Sequence, residues 1–320
     1  MPTITQLEYV VALDQCRHFG RAAALCHVSQ PTLSAQLQKL EDGLGVTLFD
    51  RSKQPVLPTE EGKAIIEQAA IVLTEVRRLE LLASQDRDDL EGEFKLGVIP
   101  TIAPYLVPLF LDHFTRQYPG VELFLEELPT ARIIDSLDRD RLHAGIVATP
   151  LGLKRIEEEP LYYEPLALYV GRDSPMARLR AVREKAIKPE GLWLLSEEHC
   201  LREQMIVVCG SGDQRGCFPS VHMKGGSLET VVELVSSGRG YTVLPRMAAE
   251  SVVRRKFEGV VLPISEPTPA REVSLVHRRG FLKQRIVRAL KAAIDSRVPS
   301  SLPRAKSREI RVLSLMGQFR

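Results

Sequence analysis

Apolar positions near the start of the chain recur at the spacing of short helices. Four leucines lie three or four residues apart and predict one buried helix face: Leu33, Leu37, Leu40 and Leu44. Ser29 precedes them as an N-cap, with Pro31 tolerated in the first turn. A helix of small residues, 21–26, comes before this cap. The pattern therefore predicts a compact helical domain with a tight turn before its third helix.

A longer helical pattern follows this domain. Thr59 is a cap, and Glu60 and Glu61 lie where the helix dipole favours negative charge. Apolar or small side chains then recur in steps of 4 and 3 residues at Ile65, Ala69, Val72, Val76, Leu79 and Ala83. We expect a helix that reaches about residue 88, roughly 40 Å in length. Such a seam fits a helix that pairs with a second copy, and also a lone surface helix.

Strands and helices alternate after a polar break at 86–92. The predicted elements are strand 93–99, helix 102–116, strand 121–127, helix 131–140, strand 144–148, strand 272–277 and helix 281–295. This alternation predicts a parallel α/β architecture. From Ser296 onward, proline, serine and basic residues predict a mobile tail.

Composition narrows the class of protein but does not indicate a partner. Apolar residues make up 44% and charged residues 26% of the 320 positions, as in ordinary soluble proteins. The start lacks a secretory signal, and no apolar run approaches the roughly 18 residues of a membrane span. We therefore expect a cytoplasmic protein with no membrane partner, whose five cysteines are free thiols. Residues 1–60 hold five basic and six acidic side chains, so charge alone does not indicate nucleic-acid binding.

The outer face of the third helix has the chemistry of a DNA reader. It presents small or polar side chains that fit a major groove, at Pro31, Thr32, Ser34, Ala35 and Gln38. The apolar pattern alone also permits a plain three-helix bundle. Three blocks favour the first interpretation, because 19–23, 28–34 and 44–51 together resemble the LysR-type transcriptional regulators.

That resemblance implies the whole architecture. The fold class would be α/β, with an N-terminal winged helix-turn-helix, a long linker helix and a two-lobed periplasmic-binding-protein-like α/β sensor domain. The expected bounds are reader 1–58, linker and dimerisation helix 59–90, regulatory domain 91–299 and basic flexible tail 300–320. Lobe I would take 91–164 and 268–299, and lobe II 165–267.

The resemblance also implies DNA contacts and self-assembly. Residues expected to face bases of double-stranded DNA are Gln30, Pro31, Thr32, Ser34 and Gln38. Arg51 and Lys53 would meet phosphates, which set the register of the protein on DNA. Members of this family pair through the linker helix and usually form homotetramers.

Two thiols in the middle of the chain indicate redox chemistry. Cys200 and Cys209 are nine residues apart, and His199 and Arg202 flank the first. Only a thiolate attacks peroxide, and cationic neighbours lower the pKa of a thiol. The acidic residues Glu197, Glu198 and Glu203 oppose that effect.

Other interpretations of the thiols stay open on spacing alone. Free cysteine is often a buried, small apolar residue, and we expect this of Cys16 and Cys26 in the reader. A zinc site from Cys200, Cys209, Cys217 and His222 lacks the close ligand pairs usual for zinc, so no metal and no cofactor are expected. Cys217 is also near enough in sequence to compete as a resolving thiol.

Further blocks narrow the resemblance to a hydrogen-peroxide-sensing group within the family. They are 98–106, 199–204, 227–230 and 240–245. In that group the cysteine matching Cys200 is oxidised by peroxide, and the one matching Cys209 resolves it to a disulfide. Thr101, Thr130 and His199 match positions that help hold peroxide, and we add Arg202 to this set. The implied partners are RNA polymerase and a thiol reductant such as glutaredoxin or thioredoxin.

Helix geometry adds a mechanical consequence. If 200–209 is one helix, nine residues separate the thiols by roughly 13 Å along its axis and by about half a turn. A disulfide needs Cα atoms within about 7 Å. We therefore expect oxidation to refold this segment, which would be the switch.

Two competing functions stay open at this stage. A regulator of the same family could bind a small anionic metabolite in the inter-lobe cleft without redox switching. A thiol peroxidase would use Cys200 in turnover, but the DNA reader argues against an enzyme.

Overall fold

The computed structural model describes most of the chain. The described residues are 2–53, 55–83, 90–210, 226–238, 240–281 and 283–314, without the side chains of 74 and 77–83. The chain divides at residues 88 and 89 into two compact units, and each is described by itself. Among the described residues, no helix combines the length and the apolar content needed to cross a bilayer.

The first unit is a winged helix-turn-helix followed by a long helix. Its elements are α1 Ile4–Cys16, α2 Phe19–Leu25, α3 Gln30–Leu44, β1 Phe49–Asp50, β2 Leu57–Pro58 and α4 Glu60–Ala83. The predicted cap is present, because the Ser29 hydroxyl accepts a hydrogen bond from the Thr32 backbone at 3.3 Å. The predicted leucine face is correct except at Leu44, which is exposed because it ends α3 just before the left-handed Gly45.

Helix α4 contributes part of its predicted seam to the first unit's own core. Of that seam, Ala69 is buried in this core with leucines of α3, and Ile65 packs against it partly buried. Ile66, which the seam did not include, is also buried there. Val72 of the seam and the neighbouring Ile71 are exposed, and pairing with a second copy stays a prediction. The side chains of Leu79 and Ala83 lie outside the described part, as does the predicted stretch from 84 to 88.

The second unit has the predicted alternation of strands and helices. Its first elements are β3 Gly92–Val98, α5 Ala103–Gln117, β4 Val121–Glu127, α6 Thr130–Asp138, β5 Ala144–Thr149 and β6 Ile156–Gly171. Two short 3₁₀ turns follow, Pro175–Arg178 and Glu184–Ala186. The remaining elements are α7 Cys200–Cys209, α8 Leu228–Ser236, β7 Tyr241–Pro245, α9 Arg246–Arg254, β8 Gly259–Pro263, β9 Thr268–Arg278, α10 Gln284–Arg297 and β10 Ile310–Val312.

Two long strands connect two lobes of this unit. The strand order is β4-β3-β5-β9-β6-β7, with β8 added to β6 and β10 added to β9. Strands β3, β4 and β5 are parallel to one another, while β6 and β9 run antiparallel along most of their length. The same strand β6 pairs with β9 in its first part and with β7 and β8 in its last part. These two strands therefore join one sheet to the next.

Each lobe has its own core. Buried side chains of the first core include Tyr162 on β6, and those of the second core begin at Leu166 on the same strand. The change of core thus lies next to the boundary predicted between residues 164 and 165. Each lobe therefore buries apolar surface of its own on its side of this junction.

The tail departs from its predicted mobility over residues 300–314. Strand β10 pairs in parallel with the start of β9, and Leu302 and Leu313 are each only 2% exposed. The prediction was based on composition alone. Composition does not show that Leu302 packs in the first core and Leu313 in the second. Residues 315–320 of the predicted tail lie outside the described part.

Replacing Leu313 by alanine tests this assignment directly. We expect a loss of about 2–4 kcal/mol in the free energy of unfolding, because a buried leucine is truncated to leave a cavity. Leu179→Ala is the control, since Leu179 is 49% exposed and its loss should change stability by less than about 0.5 kcal/mol. Urea unfolding of the full chain measures both. Equal effects of the two changes would contradict the burial of this segment.

Candidate functional site

Helix α7 places Cys200 at its first residue and Cys209 at its last, as a single helix of 10 residues. The helix that the geometric argument assumed over 200–209 is thus present. Neither cysteine is in a disulfide, and both are buried. Cys200 packs in the first core, whereas Leu201, Met205, Val208 and Cys209 pack in the second, so the helix lies in lobe II with its first residue at the junction of the lobes. The thiols are separated by roughly 13 Å along the axis, too far for a disulfide while the helix is intact.

Cys200 faces a cleft between the lobes with a volume of about 790 Å³. Its walls are formed by the start of α6 and the segment that leads into α7, with lining residues Leu128, Pro129, Thr130, Ala131, Arg132, Glu197, Glu198, His199, Cys200 and Glu203. Thr130 and Cys200 each occupy the first position of their helix, where backbone N–H groups are free to meet a ligand. The buried Thr130 hydroxyl has no full hydrogen bond with any described residue.

A buried arginine lies behind the thiol. Arg271 is 1% exposed, and its Nε and Nη2 donate to Glu164 Oε2 at 2.9 and 2.7 Å. Its Nη1 donates to the Thr101 hydroxyl at 2.9 Å, and Nη2 also reaches the Thr101 carbonyl at 3.1 Å. The other oxygen of Glu164 accepts the Met247 backbone N–H at 2.9 Å. This network joins both lobes and leaves no guanidinium nitrogen unpaired.

Burial and Arg271 act on the Cys200 thiol in opposite directions. Burial raises its pKa above the usual value and is the largest effect. The positive charge of Arg271 lowers the pKa, as do a weak interaction with the Thr130 hydroxyl and the backbone N–H groups of Cys200 and Leu201. The net pKa stays above that of a free thiol. Reactivity thus depends on groups that stabilise the thiolate when peroxide arrives.

The flanking residues do not supply the positive charge expected from the sequence. Burial lowers the pKa of His199, although Glu198 partly opposes it, so the imidazole is neutral at physiological pH. The Arg202 guanidinium donates to the Leu195 carbonyl at 2.7 Å, and Arg202 does not line the cleft. The cation that acts on the thiol is instead Arg271.

The predicted ligand-binding residues divide into two groups. Thr130 and His199 line the cleft with Cys200. Thr101 is 2% exposed and acts as the partner of Arg271. Cys217 and His222 lie outside the described residues, so their predicted alternatives stay predictions. Among the described residues, no cluster of histidine, cysteine and acidic groups has the arrangement of a metal site.

The predicted DNA-binding face is accessible. Gln30, Pro31, Thr32 and Gln38 are exposed on α3, and Ser34 is partly exposed. In the wing, the Arg51 guanidinium bonds to buried Glu41 at 2.6 Å. The same Glu41 accepts the Leu48 backbone N–H at 2.7 Å, so it fixes the start of the wing.

The side chain of Arg51 is therefore held in place more firmly than that of Lys53. Arg51 also lies over the Phe19 ring, 5.6 Å from its centre, whereas Lys53 has only a looser ion pair with Asp50 at 3.4 Å. Lys53 is 60% exposed and free to turn towards a phosphate. Arg51 orients the wing as well as presenting a charge.

A winged helix-turn-helix in the same chain as a two-lobed domain with a cleft defines a one-component transcriptional regulator. Residues 4–63 match the bacterial regulatory helix-turn-helix of the lysR family, and 87–298 match the LysR substrate binding domain. The chain therefore belongs to the LysR family. The predicted family and fold class are confirmed, and the family consists of DNA-binding regulators and not enzymes.

Relatives narrow this assignment. The chain is 38% identical over 307 residues to the DNA-binding transcriptional dual regulator OxyR of Escherichia coli K12, covering 94% of this chain and 99% of the relative. It is 40% identical to a hydrogen peroxide-inducible genes activator of Pectobacterium carotovorum, covering 87% and 90%. The predicted peroxide-sensing group is thereby confirmed.

Solved structures agree with the fold over nearly the whole chain. A full-length OxyR variant from Pseudomonas aeruginosa is 35% identical with a TM-score of 0.80, covering 96% of this chain and 99% of that one. A hydrogen-peroxide-bound OxyR mutant from Corynebacterium glutamicum is 28% identical with a TM-score of 0.60, covering 92% of both chains.

Proposed function

We propose that this chain is a peroxide-responsive transcriptional activator of antioxidant genes, switched by oxidation of Cys200 and a disulfide with Cys209. The observation that carries the proposal is the position of the two thiols at opposite ends of α7, one in each core. A bond between them cannot form without loss of that helix. Disulfide formation would therefore unfold α7 and change the contacts between the two lobes.

The chemistry proceeds in two balanced steps. The Cys200 thiolate attacks one oxygen of hydrogen peroxide, which gives a sulfenic acid and hydroxide. The Cys209 thiol then displaces the sulfenic hydroxyl, which leaves as water, and the disulfide forms. Thr130 and His199, which line the cleft with Cys200, would hold peroxide, and the positive charge of Arg271 would stabilise the thiolate. Return to the reduced state needs a dithiol reductant of the glutaredoxin or thioredoxin type.

One buried amide favours refolding of α7. Gln204 is 1% exposed, and neither its amide nitrogen nor its oxygen has a hydrogen-bond partner among the described residues. An unpaired buried amide costs about 1–3 kcal/mol. Opening of the helix would let water satisfy this group, which offsets part of the cost of breaking the helix.

The alternative of an anionic metabolite receives less support from the cleft. Its lining has three carboxylates, Glu197, Glu198 and Glu203, against one guanidinium, Arg132. An anion would meet net repulsion there, whereas hydrogen peroxide is neutral and small.

The proposal also includes location, assembly and partners. The protein would act in the cytoplasm as a homotetramer bound to double-stranded DNA, and as an activator it would contact RNA polymerase.

Peptide mapping after oxidation tests the proposal. One equivalent of hydrogen peroxide is added to the reduced full-length protein, and remaining thiols are alkylated before digestion. We expect a Cys200–Cys209 disulfide as the main product, together with an altered DNA footprint. Both thiols remaining reduced at low micromolar peroxide, with an unchanged footprint, would favour the metabolite-binding alternative.

A further inference from the structure

The segment of residues 299–314, called the strap below, is anchored in both cores. Leu302 packs in the first core and Leu313 in the second. The Pro303 carbonyl accepts the Tyr163 backbone N–H at 2.8 Å, which fixes the strap to β6. Arg304 bonds to the carbonyls of Leu161, Asp295 and Val298. The strap thus leaves α10 in lobe I and ends in lobe II.

Between these anchors the strap pairs with the strand that holds Arg271. Residues of β10 are in parallel register with the first three residues of β9. The Leu313 backbone N–H donates to the Ala270 carbonyl at 2.8 Å, and Ala270 is the residue before Arg271. Lys306 lies 3.6 Å from the buried carboxylate of Glu272, the residue after Arg271. The strap therefore contacts β9 on both sides of Arg271, through the backbone at Ala270 and through a side-chain ion pair at Glu272.

One ion pair connects the strap to a short turn that packs against α7. Arg311 of β10 pairs with Glu184, which begins the short turn Glu184–Ala186. That turn packs against α7. A side chain of the strap therefore contacts the element on which α7 rests.

We propose that the strap is a restraint on the redox switch: it ties the two lobes together and seats α7 through the Arg311–Glu184 pair, which favours the reduced state. This proposal rests on the proposed Cys200–Cys209 switch. Formation of that disulfide removes α7 and with it the packing partner of the Glu184–Ala186 turn. Contacts made only in the reduced form shift the equilibrium towards that form by their own free energy. The strap thereby sets how much oxidant is needed for switching.

The Arg311–Glu184 pair offers a test with little risk to folding, because the Arg311 side chain is 40% exposed. Arg311→Glu replaces attraction by repulsion. Exchange of the two charges, Arg311→Glu with Glu184→Arg, restores the pair. Arg308→Glu is the matched control, since Arg308 is exposed, lies on the same strap and has no ion pair among the described residues.

The measured quantity is the equilibrium between dithiol and disulfide in full-length protein, titrated with mixtures of reduced and oxidised dithiothreitol. We expect Arg311→Glu to raise the equilibrium constant for oxidation about threefold to tenfold, the range for loss of one partly exposed ion pair plus a new repulsion. Arg308→Glu should leave the constant at the wild-type value. The exchanged pair should return it towards that value.

The outcomes separate the two proposals. An Arg311→Glu protein that behaves like the Arg308→Glu control, or an exchange that restores nothing, would overturn the strap as a restraint and leave the thiol switch intact. A wild-type protein that forms no Cys200–Cys209 disulfide contradicts the switch itself, and the restraint with it.

Discussion

Replacement of Cys200 by serine is expected to abolish the response to peroxide. A serine hydroxyl does not reduce hydrogen peroxide, so neither the sulfenic acid nor the disulfide can form. The side chain differs by one atom and sits in the first core, so the fold should survive. We expect an unchanged DNA footprint and unchanged promoter output at peroxide concentrations that switch the wild-type protein fully.

Cys209→Ser is the matched control for that experiment, because it removes a thiol from the same helix without removing the attacking one. Cys200 should still be oxidised and should accumulate as a sulfenic acid that a dimedone probe traps. Because no disulfide can form in this variant, α7 should stay helical. The footprint should therefore remain that of the reduced protein. A Cys200→Ser protein that still responds to peroxide would contradict the proposed function, whichever thiol compensates.

Short-range signals explain why much of the fold could be predicted. The Ser29 cap and the leucine spacing of α3 are contained in 16 consecutive residues, 29–44, and each acts within one helix. Local rules of capping and periodicity are sufficient for such elements. Helix α7 was only assumed, because its N-cap residue His199 makes no side-chain capping bond.

The environment of the thiol could not be predicted in the same way. Arg271 and Glu164 are 107 residues apart and meet because β6 and β9 place them directly opposite each other. In the sequence Arg271 is one charged residue near the start of a strand, with nothing to distinguish it from a surface position. The sequence instead drew attention to Arg202, which is two residues after the thiol along the chain but bonds to the Leu195 carbonyl. The pairing register of β6 and β9, which are far apart in sequence, determines which cation lies near the thiol.

Arg271→Gln is expected to slow the oxidation of Cys200 severalfold at neutral pH, because a smaller fraction of the thiol is then ionised. The positive charge lowers the pKa of this buried thiol, so its removal raises the pKa further. The thiolate is the form present above the pKa. The rate should therefore rise with pH in the wild type, and in the variant the same rise should occur at higher pH.

A loss of folding must be separated from this electrostatic effect. Arg271→Gln alone leaves Glu164 buried without its partner, which costs about 3–5 kcal/mol. The double variant with Glu164→Gln buries no unpaired charge, so much of its stability should return. Its slow oxidation should persist, because the cation is still missing. Stopped-flow oxidation across a pH series, with urea unfolding in parallel, measures both quantities. A double variant that regains stability and the wild-type rate together would show that Arg271 acts only through folding.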